Sequence, residues 1–337
     1  MTTATEESAA PGRHAGGIGL ILFAMLCFAV QDASVKAIAG EVSLWQLQTV
    51  RSAATLLILA VVARAILGGQ TLLPTRWRWP LIRSVVFSGA YLFFYASLPF
   101  LTLTQAVSAF FIGPLLITVL AALILGEQIG PRRIVAVIAG FCGVLLIIRP
   151  ASGEIQLAVL LPLAAAVCYA LGVITTRWRC VGESSIALTF THNILYTVIG
   201  LAGIAAVSLL PLDAATRAAL PFIATGWHHA GIAVFAVMVG TAVTHVCGMM
   251  SSIQAYRREE ASRIAPFEYS YLAIMPVFDL AFWDELPAPQ TLAGMALIAV
   301  SGAFVARREG RAARPRVAGP AEAAADAPWT AAGDEGK

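Results

Sequence analysis

The chain has 337 residues, of which 59% are hydrophobic and only 12% charged, with a mean hydropathy of +0.81. Average soluble domains carry about 25% charged residues, so this composition lacks the ions to cover a water-facing surface and specifies an integral membrane protein. A net charge of +3 is too small to call for nucleic acid, and five cysteines without CxxC spacing read as small apolar residues of the interior.

In chain order, residues 1–16 are polar, contain two glutamates and lack a basic leader. They are expected to be disordered, and the first apolar run to stay as a span rather than leave with a signal peptide. Ten apolar runs follow: 17–38, 44–67, 80–99, 103–125, 131–149, 156–176, 186–208, 229–252, 261–283 and 290–307. Each approaches the length of about 20 residues that crosses a hydrocarbon core of about 30 Å. The linking stretch 208–229 has room for a short interfacial helix, and His228 and His229 beside Trp227 read as an interfacial anchor. The tail 309–337, rich in Ala, Pro and Gly, is expected to be disordered. The fold class is therefore all-α, with ten transmembrane helices.

Charge placement tests that layout independently. With a cytoplasmic N-terminus, ten spans put seventeen arginines inside, among them Arg76, Arg78, Arg83, Arg177, Arg179, Arg257 and Arg258, and leave Lys36, Arg149 and Arg217 outside. That asymmetry obeys the positive-inside rule. It puts both termini in the cytoplasm and the chain in the cell (inner) membrane.

The two halves resemble each other. "CFAVQDASVKAIAGEVSLWQLQTVRSA" aligns with "CYALGVITTRWRCVGESSIALTFTHNI", pairing Cys27 with Cys168, Lys36 with Arg177 and Arg51 with His192. "ILGEQIGPRR" aligns with "FWDELPAPQT", pairing Glu127 with Glu285 and Pro131 with Pro289. Spans 1–5 (17–149) thus repeat as spans 6–10 (156–308). Because five is odd, the two units lie in opposite orientations across the bilayer, an arrangement suited to alternating access. Small residues at Ala136–Gly140 and Ala299–Ala303 predict close packing of spans 5 and 10.

The ten-span plan, the paired segments "GEQIGPRRIVAVIAGFCGVLLIIRP" and "DELPAPQTLAGMALIAVSGAFVARRE", and "AVQDASVK" in span 1 resemble the drug/metabolite transporter superfamily with two EamA repeats. The segment "RREEASRIAPFEYSYLAIMPVFDLAFWDELP" is similar to the branch of riboflavin and S-adenosylmethionine carriers. The resemblance implies a cavity ringed by spans 1–4 and 6–9, with spans 5 and 10 as outer braces. It brings no catalytic signature, and no cofactor or metal is expected.

Polar groups at membrane depth are the candidate functional residues, because each is costly unless paired or hydrated. Asp32 and Arg51 come out at similar depths, which predicts an ion pair serving as a helix lock, a gate or a substrate contact. His192, His245 and Glu268 fall roughly 9–12 Å from the inner surface, which makes them candidates for a proton relay or a polar binding site. Pro266, just before Glu268, is expected to interrupt span 9 inside the membrane. Lys36 and Arg177 sit near span ends and are expected to snorkel. Tyr91, Tyr95, Phe110, Phe111, Tyr169, Tyr269 and Tyr271 lie centrally in their spans, where they either pack or form flat cavity walls.

The expectation is a secondary transporter of a small organic metabolite, driven by the substrate's gradient or by coupled protons. Its partners are that substrate and the lipid bilayer, with oligomeric state left open. The other class is a non-transporting membrane protein. A lipid-modifying enzyme would need a nucleophile or metal centre, for which no HExxH, GxSxG or zinc-spaced cluster is present. A sensory scaffold would need a sizeable soluble domain.

Overall fold

A computed structural model describes residues 11–66, 72–127, 130–148, 157–259 and 261–312, and these residues form helices and connections without a strand. The first three predicted runs are α1 (Pro11–Ile38), α2 (Leu44–Ile66) and α3 (Arg78–Ser97). The fourth is divided into α4 (Leu103–Phe110) and α5 (Gly113–Leu125), and α6 (Pro131–Ile148) is the fifth. A 3-10 turn at Leu157–Val159 leads into α7 (Leu160–Arg179), then α8 (Ser185–Leu209), the short α9 (Ala214–Ala219) and α10 (Ile232–Arg258). The ninth run is again divided, into α11 (Ala261–Glu268) and α12 (Ser270–Trp283), before α13 (Pro289–Ala312). The expected disordered stretches 1–10 and 313–337 lie outside the described residues.

Among the described residues, six stretches are long and apolar enough to cross a bilayer: α1, α2, α4 with α5, the 3-10 turn with α7, α8, and α10; α6 and α13 contain shorter apolar helices. Their outward faces are oily. Leu57, Leu123 and Val300 are 70%, 76% and 69% exposed, a surface that lipid solvates and water does not. Cys142 and Cys247 share this exposed surface whereas Cys27 and Cys180 are buried. The expectation of interior cysteines is thus corrected for two of the five, since a thiol is apolar enough to face lipid.

The helices pack as α1 along α10, α3 along α7, α2 along α8, and α6 along α13. Gly248 brings α10 against Cys27 and Phe28 of α1, and Gly89 brings α3 against Cys168 of α7. The tightest approach of α6 to α13 is between Gly143 and Gly294, where a Cβ on either would meet the other's carbonyl. That contact is made by neither of the expected small-residue pairs.

Several local features recur 158 residues apart. The two divided rods break at Phe111–Ile112 and at Tyr269. Both rods end in a left-handed residue, Gly126 (φ 72°) and Asp284 (φ 54°). Each end is closed by the same backbone bond, Glu127 N–H to the Ala121 carbonyl (3.3 Å) and Glu285 N–H to the Asp279 carbonyl (3.2 Å), the pattern of a Schellman cap. Prolines open the next helices, Pro131 for α6 and Pro289 for α13. Pro266 does not mark the break itself: it lies inside α11, and the chain departs from helix three residues later.

The ends of the molecule are tied across the sequence. At one end, Gln46 exchanges hydrogen bonds with the His228 backbone (2.9 Å each way), and Trp45 Nε1 donates to the Ile223 carbonyl (2.8 Å). At another tie, the Glu183 carboxylate accepts from the Thr75 hydroxyl (2.6 Å) and from the backbone N–H groups of Thr75 and Arg76 (2.9 Å each). Lys36 pairs with Glu285 at 3.2 Å and Arg177 with Glu127 at 2.5 Å. Each of the two basic side chains expected to snorkel thus has a carboxylate partner.

Candidate functional site

A cavity of about 410 Å³ opens between α1, α3, α8, α10 and the two divided rods. Helical spacing builds its walls: Phe87, Tyr91 and Tyr95 recur every fourth residue of α3 and therefore share a face. Opposite them, the break after α4 turns Phe110 and Phe111 inward, and Tyr169 and Tyr271 complete the aromatic lining. The rings interlock. Phe110 meets Tyr169 edge-on at 5.4 Å, Phe111 stacks on Tyr271 at 5.7 Å, and Tyr91 stacks on Tyr95 at 6.2 Å.

A polar network closes one end. Asp32, 5% exposed, accepts from Tyr271 OH, from Gln31 Nε2 (3.2 Å) and from Tyr95 OH (3.3 Å). Tyr95 OH in turn accepts from Arg51 Nη1 (2.7 Å) and from Gln31 Nε2 (2.6 Å). The expected Asp32–Arg51 pair therefore runs through the tyrosine hydroxyl that stands between them. Arg51 also lies over the rings of Tyr91 and Tyr95 at 5.1 and 5.2 Å, which keeps a buried guanidinium in favourable surroundings. Gln31 Oε1 faces His245 Nδ1 at 3.1 Å. An amide oxygen only accepts, so the imidazole is the donor there.

All eight residues singled out from the sequence (Asp32, Arg51, Tyr91, Tyr95, His192, His245, Glu268 and Tyr271) belong to this region, and all but Arg51 line the cavity itself. The three titratable groups read as one cluster are spread out along it. His192 stacks near Tyr91 (5.6 Å) and Tyr196 (5.3 Å), and His245 lies 6.2 Å from Tyr91, so one tyrosine separates the imidazoles. Glu268 accepts from Tyr256 OH at 2.8 Å. Tyr256 is eleven residues after His245 in α10, about 16 Å along the axis, so Glu268 sits nearer the far mouth.

Sequence reading missed several members. Gln31, next to Asp32, orients the network. Arg83 was counted only as a topological charge, yet it lines the cavity, donates from Nε to Thr176 Oγ1 (2.6 Å) and covers Phe87 at 4.5 Å. His192 Nδ1 is buried with no hydrogen-bond partner among the described residues.

A ring-lined chamber with a few convergent polar groups, set within helices whose outer faces suit lipid, fits a small-molecule site inside a membrane protein. Residues 15–149 match the EamA-like transporter family. It is 28% identical over 220 residues to a riboflavin transporter of Rhizobium johnstonii, covering 65% of this chain and 67% of that protein. It is 25% identical over 247 residues to a riboflavin transporter of Vibrio cholerae, covering 73% and 76% respectively. An S-adenosylmethionine uptake transporter of Rickettsia bellii is 25% identical over 214 residues, covering 64% of this chain and 67% of that protein.

Proposed function

We propose that this chain is a secondary transporter that moves a small, ring-bearing polar metabolite across the cytoplasmic membrane by alternating access. Its ten helical runs form two inverted five-helix units, 17–149 and 156–308, with both termini in the cytoplasm. The observation that carries this reading is the aromatic cavity closed at one end by the Asp32 network. Flat rings favour a planar substrate, while Asp32, Arg83, His192 and Glu268 offer acceptors and donors along its length. The recurrence of breaks, caps and packing partners at matched positions in the two halves supports the inverted repeat. The names of the relatives direct attention to flavins and S-adenosylmethionine as first candidates.

His192, His245 and Glu268 are the groups through which protons would be coupled. A binding screen tests the site directly. Purified protein is expected to gain thermal stability with one compound among flavins, S-adenosylmethionine and related heterocycles, and to lose that gain in Tyr91→Ala and Asp32→Asn. A ligand that stabilises the wild type and both variants equally would place binding elsewhere.

A further inference from the structure

The cavity has two ends, and the structure treats them differently. α1 packs with α10, α11 and α12, and α3 packs with α4 and α7, so two helix groups face each other across the chamber. Among the described residues the first group carries ion pairs of Lys36 with Glu285 and Asp279, and the second the pair Arg177–Glu127. These pairs hold a group together and do not bridge the two.

The two groups are bridged by the Tyr95 bonds to Asp32 and Gln31, which link α3 to α1, and by Asp279. Its carboxylate, fully buried on α12, accepts from the backbone N–H groups of Leu103 (2.9 Å) and Thr104 (2.7 Å). Those are the first two amides of α4, in the opposite group, and the third is capped locally by Thr102. The first amides of a helix have no partner within it, and they carry its positive dipole end. A carboxylate there makes charge-assisted bonds. Lys36 Nζ lies 3.6 Å from the same carboxylate and 4.6 Å over Trp283, which holds Asp279 in place from its own side.

At the other end the matching position is Ala121. The two rods end with the same backbone cap, so Ala121 and Asp279 occupy corresponding turns, but a methyl group cannot bond the first amides of α11. The basic partner and its glutamate are retained there as Arg177 and Glu127; a carboxylate at the Asp279 position is not, since Ala121 stands there. The cavity reaches toward that end, where Thr189, Ser252 and Glu268 line it.

We propose that Asp279 is the latch that holds one mouth of the cavity closed, and that its replacement by Ala121 at the opposite end leaves that mouth free to open. Asp279 acts on the equilibrium between the two access states and touches no substrate, so it is a positioning residue. The proposal rests on the transporter reading, and its test requires no substrate. Reporter cysteines are placed beneath the latch (Ser97→Cys) and at the open mouth (Ser252→Cys), and labelling by a membrane-impermeant maleimide is timed against the parent protein in lipid nanodiscs. Adding Asp279→Ala is expected to speed labelling at position 97 and slow it at position 252. Each change should be on the order of tenfold, as for loss of a charged hydrogen bond from a two-state equilibrium. Asp279→Asn, which keeps the shape, should give a smaller shift in both directions. Faster labelling at 97 with no change at 252 would mean local fraying only and would overturn the proposal. Reciprocal shifts in a protein that moves no metabolite would uphold the latch and remove the transporter reading; flux without reciprocity would do the opposite.

Discussion

Tyr95 is the residue on which the polar end of the cavity depends. It is 1% exposed and receives bonds from Arg51 and Gln31 while giving one to Asp32. Tyr95→Phe keeps the ring but leaves a buried guanidinium N–H and a carboxylate each short of a partner. Unmatched buried groups of this kind cost about 1–3 kcal/mol. Thermal or denaturant unfolding in detergent should show a loss of that size. Combined with Asp32→Asn, the loss should be non-additive by roughly 1 kcal/mol, because both changes break one network. Additive losses would mean that the hydroxyl and the carboxylate act separately. Asp32 and Arg51 were readable from the sequence because charge inside an apolar run stands out. The hydroxyl between them was not, because a tyrosine in "YLFFY" looks like any packing ring until α3 is placed against α1 and α2. Asp279 stayed hidden for a related reason. Its partners are backbone amides 176 and 175 residues away, which leave no mark in composition or spacing.

At the scale of elements, the apolar runs were legible because membrane helices must be continuous, oily and of a set length. The division of two of them was only half legible. Pro266 advertised trouble in the ninth run, yet α11 absorbs it and the break falls at Tyr269. In the fourth run only Gly113–Pro114 hinted at a new start. The α6–α13 brace makes a sharper prediction. Gly143→Leu drives a side chain into the Gly294 carbonyl and Ile298, and overpacking of this kind costs about 1–3 kcal/mol. Unfolding midpoints should fall by a corresponding amount, and Gly130→Ala, in open space, should serve as the neutral control. The Glu183 tie predicts a pH effect. The Thr75 hydroxyl, then the backbone amides of Thr75 and Arg76, hold this carboxyl below the usual glutamate range. A lowered folded pKa stabilises the loop contact fully above the ordinary value of about 4.3 and loses it as pH falls through the folded value. Protease cleavage within 72–77 should therefore rise in acid below about pH 4. In Glu183→Gln it should already be raised at neutral pH and respond less to acid.

On the scale of the whole molecule, the two halves place the same devices at matched positions: a broken rod, a left-handed cap, a basic residue tied to a glutamate. The functional groups do not follow that symmetry. Arg51 corresponds to His192, and Asp279 to Ala121, so the polar network closes one end while imidazoles and Glu268 serve the remainder of the chamber. In the proposed alternating-access reading, such a paired scaffold would expose a single site to two compartments in turn.

That account meets its most direct test in reconstituted liposomes. Radiolabelled riboflavin, S-adenosylmethionine and related heterocycles would be offered to vesicles containing the wild type or Asp32→Asn. The expected result is saturable, protein-dependent uptake of one compound, competed by its unlabelled form and reduced at least tenfold by the substitution, on the order of one lost charged hydrogen bond. Protein that binds such a compound in the cavity yet moves none of it across the bilayer would contradict the account.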